Sequence, residues 1–390
     1  MGNMAIELAR LMKKVEHMDI SLVAGKEGLS HLVTWVHMVE TVEASDFLDG
    51  GQLAFTTGIG LTSSDELLQL LKAFCEKKVA GVIVNTGPFI EEIPEEARRY
   101  CDEHALPLFV VPWKVHLAEI MRICCFAITK EEQRMLETSA AFKNAIFFPK
   151  QEELYVVPLS QRSFRVNWEY SVTVLKLMSQ AEKLEDRLDA LCMTLENMIR
   201  HSNKKFAIFV NEMEIILVFA DMSEEELLVT VTEIKNRQKM FLQKGEKVYM
   251  GVGRLTKSVR CLYKSYNQAK AIERLQERNK ISEDRIFYTN LGIYRLLMGI
   301  EDHEIMQDYY EHTLKPLVEY DAANNSDLCQ TLRSYLAHDG SVKDTADELF
   351  VHRNTINYKL NKIEELLGVE MSSLAARVDL MIALDLLDIL

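Results

Sequence analysis

The run from Gly340 to Leu360, GSVKDTADELFVHRNTINYKL, indicates how the C-terminal part of this 390-residue chain folds. Ser341 suits the N-cap of a helix, and apolar residues then recur on one helical face at Val342, Ala346 and Leu349. The small Ala346 lets a second helix cross closely. After a turn at 350–352, the second helix places four apolar side chains on the face toward the core: Ile356, Leu360, Ile363 and Leu367. This pattern predicts a helix-turn-helix, whose second helix enters the DNA major groove N-terminus first.

The outer face of the second helix has chemistry suited to DNA. Between His352 and Lys362 the sequence contains cations but no acid. Arginine can bond O6 and N7 of guanine together, asparagine can do the same to N6 and N7 of adenine, and threonine and lysine suit phosphates. The alternative is an ordinary solvated helix in a bundle. We predict these DNA-binding residues: Ser341, Lys343, His352, Arg353, Asn354, Thr355, Asn357, Tyr358, Lys359 and Lys362.

Composition and charge limit the other possibilities. The chain has 59 acidic and 45 basic residues and a formal net charge of −14. This excludes a protein that coats nucleic acid through a uniformly basic surface. Its seven cysteines are scattered without a CxxC pair, as expected of reduced thiols in the cytoplasm. Glu7 and Arg10 interrupt the apolar stretch that a signal peptide needs, and the apolar runs are too short to span a bilayer. We expect a cytoplasmic protein without membrane attachment.

The first 128 residues alternate between apolar strands and helices. Strands are expected at 53–56, 81–85 and 107–111, with helices from about Ser64 and from Pro94. Continuous apolar strands joined by helices predict an α/β domain with a parallel sheet covered on both faces. Ligands of such sheets bind beyond the carboxyl ends of the strands. A small polar effector is therefore expected at Thr56, Thr57, Gly58, Asn85, Thr86 and Trp113, although these residue types are also plain turn formers.

The rest of the chain reads as a helix, an α+β domain and a helical module. The stretch from His116 to about Phe142 is helical without Gly or Pro. A hairpin at 206–219 and a strand at 247–251, with helices at about 224–242 and 258–278, predict an α+β unit. The apolar helix 374–390 is expected to form core, with a dimer surface as the alternative.

The C-terminal motif resembles the helix-turn-helix of PucR/CdaR-type bacterial transcriptional regulators, itself similar to the Fis-type helix pair. The resemblance rests on Thr345-Ala346, on VHRNT at 351–355 and on KIEELLG at 362–368. The N-terminal part resembles the purine catabolism regulator-like sensor of the same proteins through the following residues: Ala24-Gly25, Gly28-Leu29, Trp35-Val36-His37, Glu40, Gly50-Gly51-Gln52-Leu53, Thr56-Thr57-Gly58, Ile93-Pro94 and Leu106-Pro107-Leu108. The middle is similar to their degenerate GGDEF-like domain at 251–253 and 265–269.

This resemblance implies five segments and a regulatory function. The segments are a PucR-like α/β sensor at 1–128, a connecting helix at 129–150, a degenerate GGDEF-like α+β domain at 151–299, a linker helix at 300–325 and the helix-turn-helix domain at 326–390. It implies a regulator that binds double-stranded operator DNA and responds to a small effector, often in purine or other nitrogen catabolism. A homodimer is expected because one short recognition helix reads too few base pairs.

The resemblance also adds Glu40 and Gln52 to the expected effector site. At three positions, however, this sequence differs from the usual pattern of the family. Gln52 stands where the sensor motif usually has Glu, which alters any charge-based ligand contact. Asn357 and Lys359 stand where the family often has Arg, which implies weaker phosphate clamping or a different base preference.

An enzyme with an incidental helical tail and a non-DNA-binding scaffold are the competing hypotheses. The hairpin carries Asn211-Glu212-Met213-Glu214 in place of the turn that an active GGDEF cyclase uses. Gly251 to Gly253 suits a strand-end bend better than a phosphate loop. His31 and His37 have no third ligand nearby, which argues against zinc. We therefore predict no catalytic residues, no metal site and no cofactor.

Overall fold

The computed structural model describes residues 5–61, 63–179, 184–200, 205–300 and 302–389. The chain divides into two compact units. The first comprises Met1–Asn144, Glu153–Arg165 and Asp189–Ser202, and the second comprises Ala145–Glu152, Val166–Leu188 and Asn203–Leu390. Among the described residues, no helix combines the length and the apolar composition that a bilayer crossing requires.

The N-terminal elements alternate between strands and helices, as expected. They are β1 (Ile6–Glu7), α1 (Leu8–Met12), β2 (Ser21–Ala24), β3 (Leu32–Val33), β4 (Trp35–Met38), β5 (Gln52–Thr56), α2 (Ser64–Glu76), β6 (Gly81–Thr86), α3 (Glu95–Glu103), β7 (Leu108–Pro112), α4 (Leu117–Phe147) and α5 (Val156–Gln161). Short 3-10 turns lie at Lys26–Ser30, Glu43–Phe47 and Glu152–Leu154.

A five-stranded sheet, in the order β2-β7-β6-β5-β4, forms the centre of this domain. Strands β4 to β7 are parallel, which confirms the predicted parallel arrangement, but edge strand β2 runs antiparallel to β7. The three inner strands β5, β6 and β7 are largely buried on both faces, which explains their continuous apolar sequence. Phe55 and Ile83 pack in one core with α1 and the first turns of α4. Val82 and Val84 pack in a second core with α2 and α3.

The middle of the chain contains the predicted antiparallel hairpin within a four-stranded sheet. The elements are β8 (Tyr170–Met178), α6 (Leu184–Arg200), β9 (Lys205–Asn211), β10 (Glu214–Ala220), α7 (Glu224–Gln238), β11 (Lys247–Val252), a 3-10 turn (Val259–Cys261), α8 (Leu262–Glu277), a 3-10 turn (Tyr288–Asn290) and α9 (Tyr294–Leu297). The strand order is β11-β8-β10-β9, all antiparallel, and α8 packs on β8 and β11.

The C-terminal part is helical, as predicted. Its helices are α10 (His303–Thr313), α11 (Lys315–Asn324), α12 (Leu328–Ala337), α13 (Val342–Glu348), α14 (Arg353–Leu367) and α15 (Leu374–Ile389). The segment expected as one linker helix, 300–325, contains two helices, and Leu314 and Leu317 are fully buried in the C-terminal core. Helix α15 is partly core, through Leu380 and Leu384. Leu390, predicted as its last residue, lies outside the described residues.

Candidate nucleic-acid interface

Helices α13 and α14 form the predicted helix pair, and local hydrogen bonds fix where each begins. The Ser341 hydroxyl accepts a hydrogen bond from the Asp344 N–H at 3.3 Å, which confirms the expected N-cap of α13. His352 caps α14 in the same way, because its Nδ1 accepts from the Asn354 N–H at 3.2 Å. The connection runs from Leu349 to His352, one residue longer than predicted. Capping therefore sets the direction in which the start of α14 points.

Packing orients α14 so that its polar face stays in solvent. Ile356, Leu360 and Ile363 are buried in the C-terminal core, and Ala346 of α13 is buried beside them, as the close crossing of the two helices requires. Leu367, predicted to point inward, is half-buried.

The exposed face of α14 presents polar side chains on its first two turns. The exposed residues are Arg353, Asn354, Thr355, Asn357 and Tyr358, with Tyr358 72% exposed. Within the described parts of the chain, the side chains of Arg353, Asn354 and Asn357 make no hydrogen bond or ion pair. Donors that are solvated and unpaired in the free protein can bond base edges or phosphates without breaking internal contacts.

The two predicted lysine contacts on α14 are engaged within the protein. Lys359 is only 16% exposed, and its Nζ lies 2.5 Å from Oδ1 of Asp327. Nζ of Lys362 lies 2.9 Å from Oε2 of Glu365, and this hydrogen bond raises the pKa of Lys362. A phosphate would have to compete with a carboxylate for each lysine. The sequence spacing did not reveal the Asp327 partner, because it lies 32 positions upstream, at the N-cap of α12.

The predicted residues on α13 have different environments. Lys343 is exposed and can reach a phosphate, whereas the half-buried Ser341 uses its hydroxyl oxygen in capping. Helix α13 also carries acids at Asp344, Asp347 and Glu348, which are not among the predicted DNA-binding residues.

Seven of the eight residues expected to bind an effector lie at one edge of the N-terminal sheet. Glu40 follows β4, Thr56 to Gly58 follow from β5, Asn85 and Thr86 end β6, and Trp113 follows β7. Because these strands are parallel, their carboxyl ends meet at this edge. Gln52 begins β5 and so lies at the opposite edge, roughly 13 Å away at about 3.3 Å per residue. One small ligand cannot contact Gln52 together with the other seven.

Most of the polar groups at the carboxyl edge are bonded to one another. Glu40 accepts hydrogen bonds from the Thr56 hydroxyl at 2.9 Å, from the Thr57 hydroxyl at 2.8 Å and from the Gly58 N–H at 3.0 Å. Asn85 donates to the carbonyls of Val111 and Pro112, both at 3.1 Å. The predicted polar residues thus stabilise the strand ends of the free domain.

The groups left open at this edge are aromatic. Trp113 and Phe89 are each 45% exposed, and their rings meet edge to face with centroids 5.7 Å apart. A ligand at this edge would therefore stack on an aromatic surface more readily than it would find free polar donors.

A cavity of about 440 Å³ lies at the opposite, amino edge of the same sheet. Its lining includes His31, Gly51, Ala80 and Leu106. His31 is oriented by a contact of 3.1 Å between its Nδ1 and the Ala80 carbonyl oxygen. Gly25 and Gly28 permit the close approach of the neighbouring loop, because a Cβ at either position would lie within about 2 Å of a backbone oxygen. Sequence reasoning missed this cavity, since loop packing rather than a motif creates it.

In the middle domain, two positions were considered for a cyclase turn or a phosphate loop: the hairpin turn and the glycines at 251 and 253. The hairpin turn is Glu212-Met213, and Glu214 is buried in an ion pair with Lys270. Gly251 and Gly253 face α8 so closely that a Cβ at either would lie 1.9–2.0 Å from a helix carbonyl oxygen. These glycines serve helix packing. Among the residues that the structure describes, no group of three His, Cys, Asp or Glu side chains could hold a metal ion.

Comparison with known families matches each part of the chain separately. Residues 10–128 match the Purine catabolism regulatory protein-like family, residues 159–275 the GGDEF-like domain and residues 328–386 the PucR C-terminal helix-turn-helix domain.

Curated relatives are known from Bacillus subtilis (strain 168). The chain is 27% identical to the proline-responsive transcriptional activator PutR over 56% of this chain and 54% of that protein. It is 24% identical to the DNA-binding transcriptional activator AdeR over 53% of this chain and 48% of that protein. It is 20% identical to the purine catabolism regulatory protein over 96% of this chain and 98% of that protein. The chain thus spans about half the length of the first two relatives and nearly all of the third.

Proposed function

We propose that this chain, which belongs to the PucR-type transcriptional regulators and carries their three domains in order, binds operator DNA through α14 in response to a small effector. The observation that carries the DNA-binding part is the solvated face of α14. Arg353, Asn354 and Asn357 stand exposed and unpaired at the helix start, opposite a buried apolar face. These side-chain types read guanine and adenine in the major groove.

Charge supports specific rather than general binding of DNA. The chain as a whole is acidic, with a net charge of −14, so phosphates are repelled by most of its surface. Both lysines of α14 are also bonded to carboxylates, which leaves Arg353 as the helix's unpaired cation within the described residues. Affinity should therefore depend on base contacts more than on phosphate contacts.

The small size of the exposed α14 face supports a two-fold dimer as the DNA-binding form. Two turns of one helix contact only a few base pairs, which do not define a site in a genome. Two copies on half-sites separated by one turn of DNA would double the sequence that is read.

The experiment that tests this function is selection of duplexes from a random pool by the full chain, followed by footprinting. We expect an inverted repeat with half-sites about 10 base pairs apart. Arg353→Ala should lose the selected site, and Arg99→Ala, which removes the same charge from an exposed position on α3, should keep it. Recovery of no common sequence would contradict the proposal.

We propose further that the N-terminal domain receives the effector, a metabolite of nitrogen catabolism. The relatives bear names that refer to proline and to purine catabolism, so proline and purine degradation products are the first compounds to test. The full chain is the right material, because α4 runs through residue 128 and a fragment ending there would cut the helix. One compound should raise the thermal midpoint and shift operator affinity. A compound that changes neither is not the effector, and failure of the whole set would contradict this assignment.

A further inference from the structure

A polar side chain interrupts the buried apolar face of α7. Leu227, Val231 and Ile234 recur on this face at helical spacing and are 0–4% exposed. Gln238 continues the same spacing and is only 5% exposed, so an apolar residue is expected at its position. Within the described parts of the chain, its Oε1 has no hydrogen-bond partner. Because buried polar groups are normally hydrogen-bonded, this amide points to a role outside the packing of the fold.

Gln238 lines a cavity of about 380 Å³ in the middle domain. The cavity lies between the end of α7, the start of β11 and the segment at 283–286, and is named here the β11 cavity. Its apolar lining includes Leu242, Val248, Met250 and Ile286. Such a volume, with apolar walls and a few polar groups, is typical of sites for small molecules. Strand β11 is at one edge of the sheet and β9 at the other, so the cavity is separate from the β9–β10 hairpin turn.

The carboxylates of the β11 cavity are all bonded to cations. The pairs are Lys235 with Asp284, Lys247 with Glu283 and Arg187 with Glu246. The last carbonyls of α7 are also occupied, because those of Arg237 and Gln238 accept from the N–H groups of Met240 and Phe241 at 2.9 and 3.0 Å. An anion in the cavity would therefore meet carboxylates whose charge is already compensated.

Lys239 supplies a cation that is not compensated in this way. Its side chain is exposed, and it makes no ion pair or hydrogen bond with any residue that the structure describes. Asp284 lies on the same side of the cavity, but it is 91% exposed and bonded to Lys235, so water screens its attraction for Lys239. The lining thus offers an ammonium group that attracts an anion and, next to it in the chain, an amide oxygen that accepts from N–H or O–H groups.

We propose that the β11 cavity binds a small organic anion whose charged group meets Lys239 and whose N–H or O–H donor meets the Gln238 amide. The apolar walls would cover the uncharged part of the molecule. Phosphate esters and carboxylates share this chemistry. The proposal is independent of operator binding by α14 and of an effector in the N-terminal domain, because the residues that carry it belong to the middle domain.

The experiment is titration calorimetry of the full chain with two matched pairs of probes. Uridine monophosphate and uridine differ by a phosphate, and orotate and uracil differ by a carboxylate, whereas all four carry a ring N–H. At least one of the two anions should bind, and its uncharged partner should bind at least tenfold more weakly. Added salt should weaken binding of the anion, because the contact with Lys239 is charged and exposed.

Variants of the two lining residues assign the binding to this cavity. Gln238→Leu should bind the anion about tenfold more weakly, because the hydrogen bond is lost. Without a probe, the same variant should unfold at an equal or higher temperature, since it removes an unpartnered buried amide. Lys239→Gln should weaken binding and remove most of its salt dependence. Lys257→Gln, at an exposed lysine of the same domain outside the lining, is the matched control and should bind as the unaltered chain does.

Each outcome bears on the proposal. Binding of only one of the two anions supports it and identifies phosphate esters or carboxylates as the class that the cavity takes. Absence of binding by both anions overturns it. Equal affinities of Gln238→Leu and the unaltered chain also overturn it, because the anion would then be bound elsewhere on the chain. The proposed function is unaffected by either result, since operator affinity is measured without these probes.

Discussion

Replacement of Asp388 by alanine tests how the DNA-binding helices are held to the middle domain. The Asp388 side chain is 2% exposed, and its oxygens contact Nη1 and Nη2 of Arg333 at 3.0 and 2.9 Å. Lys280 lies 2.9 Å away, and the Tyr294 hydroxyl donates at 3.1 Å. Arg333 belongs to α12, whereas Lys280 and Tyr294 belong to the segment that follows α8. The buried carboxylate of Asp388 therefore joins the C-terminal helices to the middle domain.

The loss of stability expected for Asp388→Ala follows from how deeply Arg333 and Lys280 are buried. Breaking a buried ion pair by removal of one member costs about 3–5 kcal/mol, because the other charge is left uncompensated. Arg333 and Lys280 are 35% and 30% exposed, so water can partly replace the lost carboxylate. We therefore expect the lower end, about 3 kcal/mol.

Hydrogen exchange of the amides in α12 and α15 is the suitable assay. The three tryptophans of the chain, Trp35, Trp113 and Trp168, lie outside the C-terminal helices, so their fluorescence would not report this change. A loss of about 3 kcal/mol should speed exchange by roughly two orders of magnitude.

The matched control is Asp379→Ala, which removes an exposed carboxylate from the same helix. Exchange in this control should stay within a factor of about two, as for other surface substitutions. Equal exchange rates in Asp388→Ala and the control would refute the reasoning that this carboxylate holds the helices.

Three further predictions concern charge and thiol chemistry. Asp327→Asn frees Lys359 for a phosphate, so operator binding should tighten and its salt slope should steepen by about 0.9; an unchanged slope would contradict this role. Iodoacetamide at pH 8, followed by mass spectrometry, should label the exposed Cys261 well before the four thiols whose pKa burial raises to about 12; equal rates would contradict the burial. The hydrogen bond from Arg187 lowers the pKa of Glu246 to about 2, so its stabilisation is complete above pH 4.5 and is lost between pH 4.5 and 2. In denaturant unfolding, Arg187→Gln should therefore be destabilised most at pH 7 and least near pH 2, and a deficit independent of pH would contradict the pairing.

The elements of the fold were predictable wherever local chemistry determines them. The buried strands of the N-terminal sheet have continuous apolar sequences, and Ser341 and Ala346 marked the helix pair by capping and by size. The antiparallel edge strand β2 was not predicted. Its four residues carry no signal for direction, and its partner β7 lies more than 80 positions away.

The candidate site, too, was predictable only where local sequence determines it. The exposed face of α14 follows from helical spacing alone, so Arg353 and Asn354 were placed on it correctly. The pairing of Lys359 with Asp327 depends on how α12 packs beside α14, which spacing along one helix does not determine. The effector residues were assigned to strand ends, but the bonds that occupy them and the cavity at the other edge arise from tertiary packing.

The affinity of the full chain for its selected operator, with and without Arg353, tests the central proposal most directly. Titration of a labelled duplex at fixed salt should show that Arg353→Ala loses about 1–3 kcal/mol for the operator and little for a scrambled duplex, since a bidentate base contact contributes that much. Equal affinities of the two proteins for the operator would mean that the start of α14 does not read DNA.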